Sequence, residues 1–280
     1  MKTNNTMDNN VQKSSTLKLT GNTARISAGF LLTALASFNA MAAEGDAFAP
    51  GDSDSKWVVG GHVGSYNNPL AGEDTEYFIA PNIEYRGEKF FVKDGEVAYN
   101  LYSNSGFSAG AVLTANGSLL SDKSDYKNNE KLAGLEERDG TLDVGVYFMH
   151  TTEMGRLKVT LLDEITGEHG GQSADAHYTF DYKVSGWNVN PYLGANWNSS
   201  DTVDHFYGVS DSEANANRAA YKGDSAVNLY TGVRGRYEIT KNWDVNVGAA
   251  YVHLGEGIRD SSIVEDDYIV VSHVGVNYNF

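Results

Sequence analysis

The chain is predicted to be all-β, a transmembrane antiparallel up-and-down β-barrel, on three observations. Short segments alternate apolar and polar residues with a period of two, aromatic residues close both ends of the apolar faces, and the last strand ends on Phe280. A soluble sandwich also has apolar inner faces, but nothing in it places aromatics at both ends of them at membrane spacing.

The alternation is clearest toward the C-terminus. From Trp243, one face reads Trp243, Val245, Val247, Ala249 and Tyr251, and the other Asp244, Asn246, Gly248 and Ala250. Residues 227–237 set Val227, Leu229, Val233 and Tyr237 against Asn228, Tyr230, Gly232, Arg234 and Arg236. Residues 187–197 repeat the scheme. Trp187 and Trp197 are ten residues apart, as are Tyr268 and Tyr278, and Trp243 and Tyr251 are eight apart. A tilted strand crosses the hydrocarbon in roughly 9 to 11 residues, so these pairs fit two interfacial girdles.

Charges of both signs fall on the opposite face: Asp143, Arg156, Lys158, Asp175, Asp181, Lys183, Arg234, Arg236 and Asp244. A cation facing lipid at the midplane costs about 2–4 kcal/mol. These residues are therefore expected to line a hydrated or ion-paired lumen. Tyr147, Tyr192 and Tyr230 share that face, which points to a narrow or filled interior.

The pattern yields segments at 56–65, 76–86, 89–102, 106–117, 140–150, 155–164, 173–183, 187–197, 226–238, 243–254 and 267–280. That is eleven, and bacterial single-chain barrels have an even number. The 89–102 segment contains Asp94-Gly95, a hairpin signal, and dividing it there gives twelve strands, within a range of 10 to 14. Counting back from a periplasmic Phe280, the connections at 239–242, 184–186, 151–154 and 103–105 are short and periplasmic. Those at 255–266, 198–225, 165–172 and 118–139 lie outside and are mostly long. The terminal Val276, Tyr278 and Phe280, with Val274 before them, have the form read by the barrel-assembly machinery.

At the other end, Lys13, Lys18 and Arg25 precede the apolar stretch 26–41, and Ala40-Met41-Ala42 fits a small-x-small cleavage site. Residues 1–42 read as a signal peptide, 43–55 as an N-terminal periplasmic segment and 56–280 as the barrel. The apolar run falls short of the ~20 residues a helical span needs. Four of the 21 basic and one of the 37 acidic residues lie in 1–42, leaving 17 against 36, a net charge of −19 for the rest. Such a chain is no nucleic-acid binder, because phosphates demand basic surfaces. Without cysteine it has no thiolate metal site, disulfide or Cys nucleophile.

Two outer segments carry a family resemblance. His205-Phe206-Tyr207-Gly208-Val209-Ser210-Asp211-Ser212-Glu213-Ala214 resembles the "YYGV…EA" element of the MipA/OmpV family, the MltA-interacting proteins of Gram-negative outer membranes. Arg259-Asp260-Ser261-Ser262-Ile263-Val264 resembles its "I-x-D-S-P-I-V" element, with Ser262 in place of the usual Pro. Upstream, Pro81 through Gly87 with Phe90-Phe91 is similar to the family's "P-x-x-x-Y-R" region, and Leu132-Ala133-Gly134-Leu135 to its "L-x-G-L" element. The four occur in the family's order across nearly the whole region after the leader.

The resemblance implies a barrel without catalytic activity, embedded among outer-membrane lipid and lipopolysaccharide. It implies a scaffold between a lytic murein transglycosylase and a peptidoglycan synthase, or a surface adhesin or porin-like protein. The residues themselves leave three tasks open: a scaffold, a small-solute channel lined by Arg234, Arg236, Asp175 and Asp181, or adhesion through acidic outer loops.

Catalytic readings are thin. The histidines at 62, 150, 169, 177, 205, 253 and 273 show no metal-site spacing. Ser103 and Ser105 fall in a periplasmic turn, and Asp204, His205 and Asp260 fit an acidic loop better than a protease site. Nothing in the pattern asks for a cofactor. Glu265-Asp266-Asp267 at the outer rim could hold Mg²⁺ or Ca²⁺ through carboxylate oxygens, or simply end a solvated loop. Function concentrates on loops held by a rigid scaffold. Accordingly Tyr207 and Ile263 are expected to pack over the lumen, with Arg259 pairing with a carboxylate.

Overall fold

A computed structural model of the protein describes residues 56–93 and 95–280. The expected signal peptide, the 43–55 segment and Asp94 lie outside the described residues. The strands are β1 (Trp57–Asn67), β2 (Thr75–Arg86), β3 (Phe90–Lys93), β4 (Glu96–Ser103), β5 (Phe107–Asn116), β6 (Thr141–Thr152) and β7 (Gly155–Glu164). They continue with β8 (Gln172–Phe180, resuming as Tyr182–Val184), β9 (Trp187–Asn198), β10 (Ala226–Glu238), β11 (Trp243–His253) and β12 (Tyr268–Asn279). Both pieces of β8 pair with β9, so Asp181 interrupts one strand and the count is twelve.

Every strand pairs antiparallel with its neighbours in sequence, and β1 closes on β12 from Val58↔Asn279 to Tyr66↔Val271. Closure leaves no pair of free edges at the chain ends, as a hydrocarbon environment requires. The division of 89–102 is seen as expected, with the chain reversing at Gly95 (φ 84°) between β3 and β4. Glycine adopts that left-handed backbone without the Cβ clash other residues meet.

The outward residues are apolar and exposed: Val63, Ile79, Ile83, Leu161, Leu193 and Val274 are among them. Aromatic pairs mark the lower rim, where Trp57 packs on Tyr85 and Trp243 on Tyr278 at ring separations of 4.8 and 5.0 Å. Tyr251 stacks on Tyr268 at 5.8 Å near the upper rim. Among the described residues no helix is long and apolar enough to cross a membrane.

One seam departs from the regular ladder. β2 pairs with β1 along its whole length but with β3 only at Tyr85↔Val92 and Arg86↔Phe91. The Arg86 N–H donates to Lys56 C=O at 2.8 Å, which fixes the alternation. Even-numbered residues of β2 bond to β1, and Tyr77, Ile79, Pro81 and Ile83 turn their main-chain groups the other way. Pro81 carries no N–H, so the open stretch has one fewer donor, and proline is tolerated at such an edge.

Candidate functional site

The outer end is closed by a cap built from the connections 68–74, 117–140, 199–225 and 254–267. Three short helices stiffen it: α1 (Lys123–Tyr126), α2 (Ser200–Tyr207) and α3 (Glu256–Arg259). Asp122 caps α1 by accepting from Ser124 N–H at 2.7 Å, and Ser199 caps α2. Leu70, Leu120, Tyr126, Leu132, Leu135, Val209 and Ile263 form the cap's own apolar core, with Tyr207 and Val264 packed against it. Leu132, Leu135 and Ile263 have no exposure at all.

Polar contacts lock the loops together. Ser261 Oγ donates to Tyr207 C=O at 2.6 Å, Ser262 Oγ to Ala219 C=O at 2.6 Å, and Ala71 N–H to Ile263 C=O at 2.8 Å. Leu70 and Val264, and likewise Val209 and Tyr221, form isolated bridges. A Cβ at Gly208 would run into the carbonyl oxygen of Asp204, so the close turn out of α2 needs glycine there.

Glu213 is the hub. Its carboxylate accepts from the N–H groups of Glu136 and Ser210, both at 2.9 Å, and from Arg138 Nη2 at 2.9 Å. Burial disfavours its charge, but those donors and the Ser210 hydroxyl outweigh it and hold the carboxyl down at about 2. The buried Arg218 guanidinium then gathers main-chain oxygens of Lys131, Ala133 and Glu213 at 2.7 to 3.3 Å. Ala214 completes the turn through its N–H to Ser210 C=O at 3.0 Å. Arg218 carries no motif or period that marks it in the sequence.

One expectation is corrected. Among the described residues Arg259 meets no carboxylate: its Nη1 lies 3.3 Å from His253 Nε2, because α3 turns it back over the end of β11, while Asp260 stays exposed. Among the described residues, Glu265, Asp266 and Asp267 do not come together as a ligand group. Glu265 takes Lys131 Nζ at 2.6 Å and Gly72 N–H at 2.9 Å, whereas Asp266 accepts from Asn67 Nδ2 at 3.2 Å. The lysine and glycine donors hold the Glu265 carboxyl below its usual range.

Beneath the cap, the inward charges are mostly tied to one another. Lys158 pairs with Glu96 at 3.0 Å, Arg156 with Asp181 at 2.9 Å and Arg236 with Asp244 at 2.9 Å. Asp143 accepts from Asn116 at 2.6 Å and Thr141 at 3.2 Å. Asp175 takes His177 and the Tyr230 hydroxyl, each at 2.7 Å. Arg234 instead stands over the Tyr192 ring, 4.9 Å from its centroid. Phe91, Ala98, Val112, Tyr147 and Met149 fill the β3–β6 side, and Tyr66, Tyr192, Tyr230, Val252, Ile269 and Val271 form an apolar layer under the cap. At the closing strand, Val276 and Tyr278 face outward, Tyr278 packs on Phe280 at 4.9 Å, and Phe280 N–H donates to Trp57 C=O at 3.0 Å.

A closed barrel with a lipid-facing apolar belt, short turns at one end and folded loops at the other is an outer-membrane protein of a Gram-negative bacterium. Residues 59–280 match the family described as MltA-interacting protein MipA, and the chain belongs to that family. The MltA-interacting protein of Escherichia coli K12 is 26% identical over 229 residues, which cover 81% of this chain and 92% of that one. Outer membrane protein OmpV of Vibrio cholerae is 27% identical over 262 residues, covering 90% and 98%. Among solved structures, a Pseudomonas aeruginosa FadL homologue aligns with a TM-score of 0.42 at 10% identity, covering 89% of this chain and 98% of that one.

Proposed function

We propose that this barrel is a non-enzymatic scaffold that holds a lytic murein transglycosylase, and with it a peptidoglycan synthase, at the inner face of the outer membrane. The supporting observation is the near full-length similarity to a relative named for its interaction with MltA. The lower rim offers a partner the turns at 87–89, 104–106, 153–154, 185–186 and 239–242, with Met154 and Ile239 exposed there. Most of the lumen's carboxylates and cations are occupied in bracing the wall, a structural rather than catalytic employment.

A small-solute channel is the weaker reading, since the cap and the tyrosine layer lie across the lumen. The scaffold reading is tested by placing photo-crosslinking side chains at Glu88, Glu153 and Lys241, and separately at Ser212 and Asp260, in intact envelopes. A lytic transglycosylase should be captured from the turn positions. Capture from the outer positions alone would sink the reading in favour of surface contact.

A further inference from the structure

Beside the Arg236–Asp244 pair, the wall formed by β10, β11, β12 and β1 holds polar groups that no bracing pair absorbs. Register carries them onto two adjacent rows. In one, Arg234 faces Gly248, which faces His273, which faces Gly64; in the next, Arg236 faces Asn246, which faces Gly275, which faces His62. The glycines let side chains lie flat against the wall. A Cβ at Gly248 would strike the His273 ring, and one at Gly275 would strike His62 and approach Asn246 Oδ1 to 2.8 Å. The two imidazoles are 5.2 Å apart.

Charge and hydrogen bonding are unbalanced here. Arg234 has no carboxylate within ion-pair distance among the described residues, and its Nε lacks a partner. Arg236 Nε and both amide atoms of Asn246 are likewise buried without partners. Buried polar groups without partners are rare, and each points to a missing water, ion or ligand. The nearby carboxylates are neutralised: Asp244 by Arg236, Asn277 and Asn279, and Glu84 by Arg86 and Asn82. One unmatched positive charge therefore remains. Unlike the packed β3–β6 side, Arg234, Asn246, His62 and His273 are only half-buried. They lie in the lower half of the lumen, beneath the tyrosine layer and cap.

A guanidinium fork flanked by imidazole and amide donors matches a group presenting two oxygens. We infer that Arg234, Asn246, His62 and His273 form a binding site inside the lumen for a small oxyanion, a carboxylate or phosphate group on a solute. The site goes beyond the scaffold role and does not depend on it.

The test uses the full chain folded in detergent micelles, with thermal unfolding followed while chloride is exchanged for inorganic phosphate or for acetate at constant ionic strength. Phosphate or acetate should raise Tm saturably, and the stronger of the two identifies the oxyanion geometry. Arg234→Gln should weaken that effect about tenfold or more, as loss of a charge-assisted hydrogen bond does, whereas Arg259→Gln in the cap should leave it unchanged. A rise that does not saturate, or one that Arg234→Gln leaves intact, overturns the site. If Arg234→Gln does not fold, Asn246→Asp replaces it: the added carboxylate should abolish the rise, and a retained rise overturns the site equally.

Discussion

At the residue scale, the cap depends on a carboxylate that works only when ionised. Glu213 is held at about 2, below its ordinary 4.5, so it stabilises the cap fully above the ordinary value and the benefit disappears as pH falls from there toward 2. Hydrogen exchange of amides in 130–140 and 208–218, corrected for intrinsic pH dependence, should therefore accelerate on acidification. In Glu213→Gln it should already be fast at pH 6 and change little below. An unmodified chain whose cap protection is flat from pH 6 to 3 would contradict this. The role of Glu213 was only partly legible. Its place in a family-like element is visible in the sequence, but its partners, Arg138 and the Glu136 N–H, arrive from a loop about 75 residues away in sequence. Nothing periodic links the two segments. The reversal at Arg259 was hidden for the same reason, since a one-turn helix decides where its side chain points.

At the scale of elements, strands β9 to β12 could be read residue by residue, because a lipid belt on one face and a polar lumen on the other impose a strict period of two. The Asp94-Gly95 turn was legible through its glycine. That β3 is only four residues long was not, because its apolar residues continue the same alternation and pairing extent leaves no mark on composition. Pro81 is the exception. Within a fully paired strand it would cost a ladder bond, but on the open side of β2 it removes a donor that has nothing to donate to. Pro81→Ala should therefore destabilise the barrel by about 1–3 kcal/mol, the cost of an unpartnered N–H in hydrocarbon. Urea titration of the folded band on cold gels checks this; a more stable alanine variant would show that the edge is covered.

At the scale of the whole molecule, two closures stand in series, the cap core around Leu132, Leu135 and Ile263 and the layer containing Tyr66, Tyr192 and Tyr230. The unaltered chain in a planar bilayer should show no steady open level. Removing 123–135 alone should not open it, while the same deletion combined with Tyr192→Ala and Tyr230→Ala should. A stable conductance in the unaltered chain would refute the closed lumen. Three inward tyrosines made the narrow or filled interior legible in the sequence. The polar cluster around Arg234 was not legible, because its members come from β1 and from β10 to β12 and meet only once the ring is closed.

The two rungs between β2 and β3 give the ring one soft link. Every other junction, including the one joining the first strand to the last, is held by a longer run of pairs. Mechanically, then, the sheet does not begin and end where the chain does. Under lateral load it would part between two strands that are neighbours in sequence, and β1 and β2 would stay with the C-terminal strands. In its response to force the barrel is a permuted sheet running from β3 round to β2, with the first and last strands, β1 and β12, sewn into its interior.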